Sequence, residues 1–175
     1  LNVLYRLVAK ERYAEAAEYI ERMGADLGNY PELPQDTGNE GLNAALIKAV
    51  QECREKEIRF RYVVMGRPDR IDSMDMGTLL YNLLSNGIEA MAVETERELE
   101  LVVREEDGTT EIFMENTISG SVLKNNPNLE SRKQDKRYHG FGIESIRGII
   151  GKYQGHYSYR EESGRFIQEI DLRDG

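Results

Sequence analysis

The chain is poor in the residues that cross-link a protein or anchor it in a membrane. Of its 175 residues only Cys53 is a cysteine, so no disulfide can form within the chain, and its neighbours offer no thiolate-activating pattern. We therefore expect a reducing compartment and assign Cys53 no chemical role. No apolar run approaches the roughly 20 residues that a membrane-spanning helix needs. The sequence thus excludes a disulfide scaffold and a membrane-embedded domain.

Basic residues are also scarce, with 23 Lys and Arg against 32 Asp and Glu and a net charge of −9. A field of that sign repels polyanions, so nucleic acid is not expected as the main partner. One local exception is a basic cluster just before a glycine-rich stretch, formed by Arg132, Lys133, Lys136 and Arg137. The cluster suits a compact anion such as a nucleotide phosphate, and a solvated charged loop accounts for it equally well.

Hydrophobic periodicity predicts two helices followed by an α+β domain. Helical spacing covers residues 1–23 and again Glu40 to about Lys56, with a proline-containing loop between them, which predicts an α-helical hairpin over residues 1–57. From Ile58 the period changes to two, and the order becomes strand, helix, two strands, a long polar segment, helix and two strands. We predict a two-layer α/β sandwich over residues 58–175, with a mostly antiparallel sheet and helices on one face.

Turn and loop signals punctuate this domain. Glu106-Asp107-Gly108-Thr109 and Ser163-Gly164 each predict a hairpin between alternating strands. Residues 117–138 are polar and aperiodic, and loops of that length are typically lids or disordered segments. The helix that follows is predicted to end near Tyr153.

The segment Thr78 to Ala90, TLLYNLLSNGIEA, places two asparagines in a leucine-rich run. Asn-Gly is a hairpin-turn signal, but helical periodicity puts Asn82 and Asn86 on one polar stripe and Gly87 with the leucines on the opposite face. The segment is therefore predicted to be an amphipathic helix, in which Gly87 allows close approach to the sheet. Amide oxygens one turn apart can ligate Mg²⁺ that phosphates complete, or backbone groups can satisfy them.

A glycine-rich stretch, His139-Gly140-Phe141-Gly142-Ile143, lies at the start of the last predicted helix. Glycines let a ligand approach the backbone closely, and the unpaired N–H groups at a helix N-terminus bind phosphate. Gly-x-Gly alone is weak evidence, because it is more typical of a helix start in which glycine allows tight packing. Together with the basic cluster and the asparagine helix, it indicates a site for a magnesium nucleotide.

These residues resemble a known superfamily. NLLSNGIEA resembles the N box, and HGFGIESIRGIIGKYQG the second glycine box, of the ATPases that include histidine kinases, gyrase and MutL. More narrowly, nearly the whole chain resembles the cytoplasmic kinase region of Agr-type quorum-sensing sensor histidine kinases. GNEGLNAALIKAVQECREKEI resembles the end of their dimerisation helices, and SRKQDKRYHGFGIESIRGIIGKYQG resembles their lid and glycine motif.

The resemblance implies an ATP site with Mg²⁺ as its metal. Asn86 would coordinate the ion and Asn82 would assist one turn earlier. The remaining residues implied near the phosphates are Lys133 and His139 of the lid and the glycine motif Gly140, Phe141, Gly142 and Ile143. The hydrolytic branches typically carry a glutamate base where this chain has Asn82, and an amide cannot act as that base. The resemblance therefore implies phosphoryl transfer to a side chain, with Asn82 and Lys133 as the catalytic residues, rather than ATP hydrolysis.

The adenine-reading position departs from the superfamily pattern. The usual Asp-x-Gly-x-Gly box should follow the strand near Met114, but the sequence there is ENTISG. Asn116 is our choice for the adenine reader, because an amide both donates and accepts hydrogen bonds, and Glu115 is the competing choice.

The phosphoacceptor and the partners follow from the resemblance as expectations. Neither His139 nor His156 lies on a dimerisation helix, so the acceptor histidine is expected upstream of Leu1, and this fragment should bind ATP without phosphorylating itself. The full protein would be a membrane-bound receptor whose cytoplasmic region dimerises through N-terminal helices and passes phosphate to a response-regulator receiver domain. The alternatives are a non-catalytic interaction domain and an anti-sigma-type serine kinase, although the latter needs no helical hairpin.

Overall fold

The structure is a computed structural model that describes residues 12, 14, 36–124, 126–129 and 142–173. Its elements follow the predicted order from the second helix onward. They are α1 (Glu40–Glu55), β1 (Arg59–Met65), α2 (Ser73–Ala90), a 3₁₀ turn (Met91–Val93), β2 (Glu98–Glu106), β3 (Thr109–Thr117), α3 (Gly142–Lys152), β4 (His156–Glu162) and β5 (Arg165–Arg173).

The five strands form one mixed sheet in the order β1-β2-β3-β5-β4. β1 and β2 are parallel and are connected through α2, while the other three pairings are antiparallel. Both predicted hairpins are present, and in each the two central residues have positive φ, the geometry of a type I′ turn: Asp107 (50°) and Gly108 (77°), then Ser163 (49°) and Gly164 (74°). The α+β sandwich predicted from the sequence is confirmed.

Helices α1, α2 and α3 pack on one face of the sheet. Asn39 caps α1 by accepting the N–H of Leu42 at 3.0 Å, and its own amide donates to the carbonyls of Pro68 and Ile71. α1 buries Leu42, Ala45, Leu46, Ala49, Val50 and Cys53 in the same core as α2 and the sheet. Packing is thus continuous across the division predicted at residue 57. The helix predicted over residues 1–23 lies outside the described residues, so the dimerisation hairpin stays a prediction.

Burial and helix length further characterise these elements. Burial raises the pKa of the Cys53 thiol to about 12, in keeping with its expected lack of a chemical role. Within the described ranges, none of the helices combines the length and the apolar character required to cross a bilayer.

The sheet face turned away from the helices is also buried at its centre. Val102, Phe113 and Ile167 on this face are at most 9% exposed. Charged residues alternate with apolar ones along β2, but Glu100 and Arg104 are buried as well. This alternation therefore does not mark a solvent-exposed face. On the same side, an Arg12 guanidinium nitrogen lies 3.5 Å from a Glu111 carboxylate oxygen.

A hydrogen-bonded clasp joins the start of α2 to the end of α3. The Asp75 carboxylate accepts hydrogen bonds from the Lys152 ammonium and, at 2.8 Å, from the Tyr153 hydroxyl. That hydroxyl in turn accepts the backbone N–H of Asp72 at 3.1 Å. Since the two helices run antiparallel, the clasp at this end fixes how α3 lies along the polar stripe of α2.

We expect Gly41→Ala to lower the free energy of unfolding by about 3 kcal/mol, because overpacking against backbone cannot be relieved by a side-chain rotation. A Cβ atom on Gly41 would lie 1.7 Å from the Ser73 carbonyl oxygen, at the close crossing of α1 and α2. Gly148→Ala is the control, since nothing lies within 4 Å of its Cβ position in α3. It should raise stability by about 0.5–1 kcal/mol, and urea unfolding of both variants tests the pair.

The clasp predicts a pH-dependent effect of Asp75→Asn. The hydrogen bond from Lys152 lowers the pKa of Asp75, so its stabilisation is present above the unfolded pKa of about 4 and is lost as pH falls through the lower folded value. Asp75→Asn should cost about 1 kcal/mol at pH 7, and the difference from the parent should shrink toward zero below about pH 4.

Urea unfolding across that pH range measures the effect. Asp69→Asn, an exposed aspartate of the β1–α2 loop, serves as the control. A deficit for Asp75→Asn that is equal at pH 7 and pH 3 would contradict an ionic clasp.

Candidate functional site

The polar stripe of α2 carries the two asparagines that the sequence singles out. Asp72 caps this helix by accepting the N–H groups of Met74 and Asp75, and the leucines of the opposite face are buried. The Asn82 amide nitrogen donates to the Thr78 carbonyl at 2.8 Å. A backbone group therefore satisfies the Asn82 amide nitrogen, as in the alternative in which backbone groups pair with the asparagines. The Asn82 amide oxygen is not used in this bond.

The first residue of α3 lies against this pair. A Cβ atom on Gly142 would be 3.3 Å from the Asn82 side-chain oxygen and 3.9 Å from the Asn86 side-chain nitrogen. The structure thus brings the glycine motif and the asparagine helix together, 56 residues apart in sequence at Asn86 and Gly142. Ile143, the next residue of the motif, is partly buried against the hydrophobic core and holds this end of α3 in place.

Gly87 lies on the packed face of α2, as predicted. Its Cβ position is 3.2 Å from the Met114 methyl carbon, 3.3 Å from a Leu99 methyl carbon and 3.5 Å from the Asn116 side-chain oxygen. Such spacing is too tight for a larger side chain without a shift of its neighbours. Gly87 therefore permits α2 to approach the sheet closely, with Asn116 directly beside it.

Asn116 and Glu115 occupy opposite faces of the sheet. Asn116 lies on the same face of β3 as Ile112 and Met114, which belong to the core under the helices. Asn116 is 1% exposed, and its amide donates to the Thr117 carbonyl at 3.1 Å. Glu115 lies on the other face, where it pairs in register with Glu100. Burial and the neighbouring Glu115 raise the pKa of Glu100 to about 7. Of the two residues considered as adenine readers, only Asn116 lies on the sheet face that α2 covers, and α2 is the helix that carries the asparagine stripe.

Four of the predicted site residues, Lys133, His139, Gly140 and Phe141, lie outside the described residues, as does the whole basic cluster. Their roles stay predictions. Asn82, Asn86, Asn116, Gly142 and Ile143 are described: Gly142 lies against Asn82 and Asn86, whereas Asn116 lies beside Gly87 on the packed face of α2 and Ile143 packs on the core.

The donor set around the stripe suits an oxygen-preferring cation. Among the residues that the structure describes, no group of three or more His, Cys, Asp or Glu side chains is arranged to hold a metal ion. A metal here would rely on amide oxygens of Asn82 and Asn86 and on oxygens of its ligand, which is the coordination that Mg²⁺ accepts with nucleotides. Asn86 is exposed and thus accessible to such an ion.

Sequence analysis missed one carboxylate near the site. Glu161 on β4 accepts hydrogen bonds from the Ser121 hydroxyl at 2.7 Å and from the backbone N–H groups of Val122 and Leu123 at 2.5 and 2.8 Å. These bonds hold the first part of the segment predicted as a lid. No local pattern marks Glu161, because its partners lie about forty residues earlier in the chain.

Comparison with known protein families identifies the domain to which these elements belong. Residues 71–173 match the GHKL domain family. No curated protein sequence matched the chain.

Several solved structures of similar fold are histidine kinases. The catalytic domain of histidine kinase ThkA superposes with a TM-score of 0.61 at 16% identity, covering 82% of this chain and 97% of that one. Acinetobacter baumannii histidine kinase AdeS gives 0.57 at 14% identity, over 97% of this chain and 82% of its own. The mycobacterial sensor histidine kinase MprB gives 0.53 at 17% identity, over 77% and 92%.

At such identities the structural likeness establishes the fold and leaves activity to be argued from the site. The family match extends over more than half of the chain, from the residue before the Asp72 cap of α2 to the end of β5. The chain belongs to the GHKL domain family.

Proposed function

We propose that this chain is the ATP-binding catalytic region of a sensor histidine kinase of the Agr type. The observation that carries the proposal is the proximity of Gly142, the first residue of α3, to the amides of Asn82 and Asn86, which would lie 3.3 and 3.9 Å from a Cβ atom on Gly142. A helix N-terminus supplies unpaired N–H groups and a positive dipole end for phosphate, and the amides supply oxygens for a cation. Metal ligands and phosphate donors therefore face one space.

We assign recognition of the adenine base to Asn116. Its amide lies beside Gly87 on the helix-facing side of the sheet and can both donate to and accept from the adenine edge. The buried position of Asn116, among the apolar side chains of Leu99 and Met114, supports a role as a specific polar contact for the base.

The chemistry favoured by the site is phosphoryl transfer to a protein side chain. Mg²⁺ bound by Asn86, with Asn82 assisting, would neutralise phosphate charge. Asn82 cannot remove a proton from water, and its nitrogen is already committed to the Thr78 carbonyl, so this position supplies no general base for hydrolysis. In this proposal Lys133 and His139 contact the phosphates. The acceptor histidine lies in the region preceding Leu1, and the final acceptor of the phosphate is a response-regulator receiver domain.

Asn86→Ala should weaken magnesium-dependent ATP binding by at least about 10-fold, because it removes the accessible metal ligand. Calorimetric titration with ATP, in the presence and absence of Mg²⁺, measures the effect. Glu89→Ala is the matched control, since it truncates an exposed side chain on the same stripe of α2 and should bind within about twofold of the parent. Absence of saturable ATP binding by the parent would overturn the proposal and favour a non-catalytic interaction domain.

Extending the chain toward its N-terminus to include the upstream histidine should produce self-phosphorylation with γ-labelled ATP. The phosphate should be lost in acid and retained in base, as expected of a phosphohistidine, while the 175-residue chain alone should remain unlabelled. Base-labile, acid-stable labelling would instead indicate the serine-kinase alternative.

A further inference from the structure

Side chains of β4 and α3 hold the segment that follows β3. We define the lobe as residues 118–124 and 126–129. The Glu161 carboxylate gathers the three donors of Ser121, Val122 and Leu123, and the Tyr159 hydroxyl donates to the Pro127 carbonyl at 2.9 Å. An Arg147 guanidinium nitrogen of α3 donates to the Asn128 carbonyl at 3.1 Å. This part of the predicted lid is therefore held against β4 and α3.

Glu161 contributes the densest of these attachments. A carboxylate that accepts two backbone N–H groups and a hydroxyl fixes both the position and the direction of the backbone that it binds. Partial burial raises the pKa of Glu161, but the hydrogen bonds from Leu123, Ser121 and Val122 outweigh it and lower the pKa below its ordinary value. Glu161 therefore acts here as an anion that organises the lobe.

The strand register connects Glu161 to the proposed adenine reader. Asn116 on β3 pairs with Phe166 on β5, and Phe166 pairs with Glu161 on β4. Directly paired residues of antiparallel strands point to the same face, so the three side chains form one row under the helices. With two strand spacings between its ends, the row is about 10 Å long.

The middle of the row is aromatic. Phe166 is 7% exposed, and its ring centroid lies 6.3 Å from that of Tyr159. Aromatic rings form sequence-tolerant stacking surfaces for planar bases, and an amide at one end of such a surface can read the base edge. Glu161 places the backbone of Val122 and Leu123 at the other end.

We propose that Glu161 is a positioning residue for the nucleotide base. It holds Ser121 to Leu123 as the wall opposite Asn116, with Phe166 as the floor between them. This inference rests on the proposed function, since it specifies which part of the ATP site selects the base. The lobe then contributes to binding of the base, whereas the Asn82, Asn86 and Gly142 group contributes to binding of the phosphates.

Glu161→Gln tests this role, with Glu162→Gln as its matched control. Both variants lose one negative charge at adjacent positions, but Glu162 is exposed and points to the other side of β4, where it lies 3.5 Å from Arg160. A glutamine at position 161 can keep both backbone bonds with its single oxygen, because Val122 and Leu123 share Oε1, but its NH₂ group replaces the Oε2 atom that accepts from Ser121, and all three bonds lose the negative charge. Calorimetric titration with ATP and with GTP in Mg²⁺, and the thermal midpoint of each variant without ligand, supply the readouts.

Glu161→Gln is expected to weaken ATP binding about 10-fold and to reduce the preference for ATP over GTP toward one, since the Ser121 hydroxyl loses its carboxylate acceptor and the two backbone bonds of the base wall are no longer charge-assisted. Glu162→Gln should keep both values within about twofold of the parent. A merely structural role of Glu161 would lower the thermal midpoint and leave the ATP-to-GTP ratio unchanged, and that result would overturn the inference.

Ser121→Ala keeps the test decisive if Glu161→Gln does not fold. It removes one of the three donors and leaves both backbone bonds, so it should shift the ATP-to-GTP ratio in the same direction by a smaller factor of about 3. An unchanged ratio would count against the inference. A parent that binds no ATP defeats the proposed function itself, whereas a parent that binds ATP with variants of equal selectivity defeats only the role of Glu161.

Discussion

The candidate site depends on how closely α2 approaches the sheet. Gly87 has no side chain to separate the helix from Leu99 and Met114, so the helix settles where the Asn116 oxygen lies beside it. The orientation of a helix about its axis fixes all of its faces together, because residues advance by a constant angle. Packing on the Gly87 side therefore also determines where Asn82 and Asn86 point. Both groups of polar side chains owe their positions to one apolar contact.

The hairpin and the asparagine helix could be predicted from the sequence, because patterns within short segments determine both. Asp107-Gly108 lies between alternating strands and forms the type I′ hairpin that its residues favour. Asn86-Gly87 is a similar turn dipeptide, yet it is helical, because the leucines around it repeat every three to four residues and bury one continuous face. Periodicity over several turns of helix outweighed the preference of two residues.

The remainder depended on which residues meet across the fold. Asn116 and Glu115 are adjacent, and a shift of one residue in strand register would exchange their faces, so composition alone could not choose between them. Gly41 is indispensable only because the Ser73 carbonyl crosses it, and Glu161 matters only because β4 returns beside the segment after β3. Long-range contacts of this kind leave no periodic trace in the sequence.

The parallel pairing of β1 with β2 determines how α2 is attached to the sheet. Because α2 is the crossover between these neighbouring strands, both of its ends lead into the same strand ladder. α3 leads instead into β4, which lies at the opposite edge of the sheet from β1. The residues proposed for the metal and those proposed for the phosphates are thus carried by connections to opposite edges of one sheet, and the sheet between them sets the width of the site.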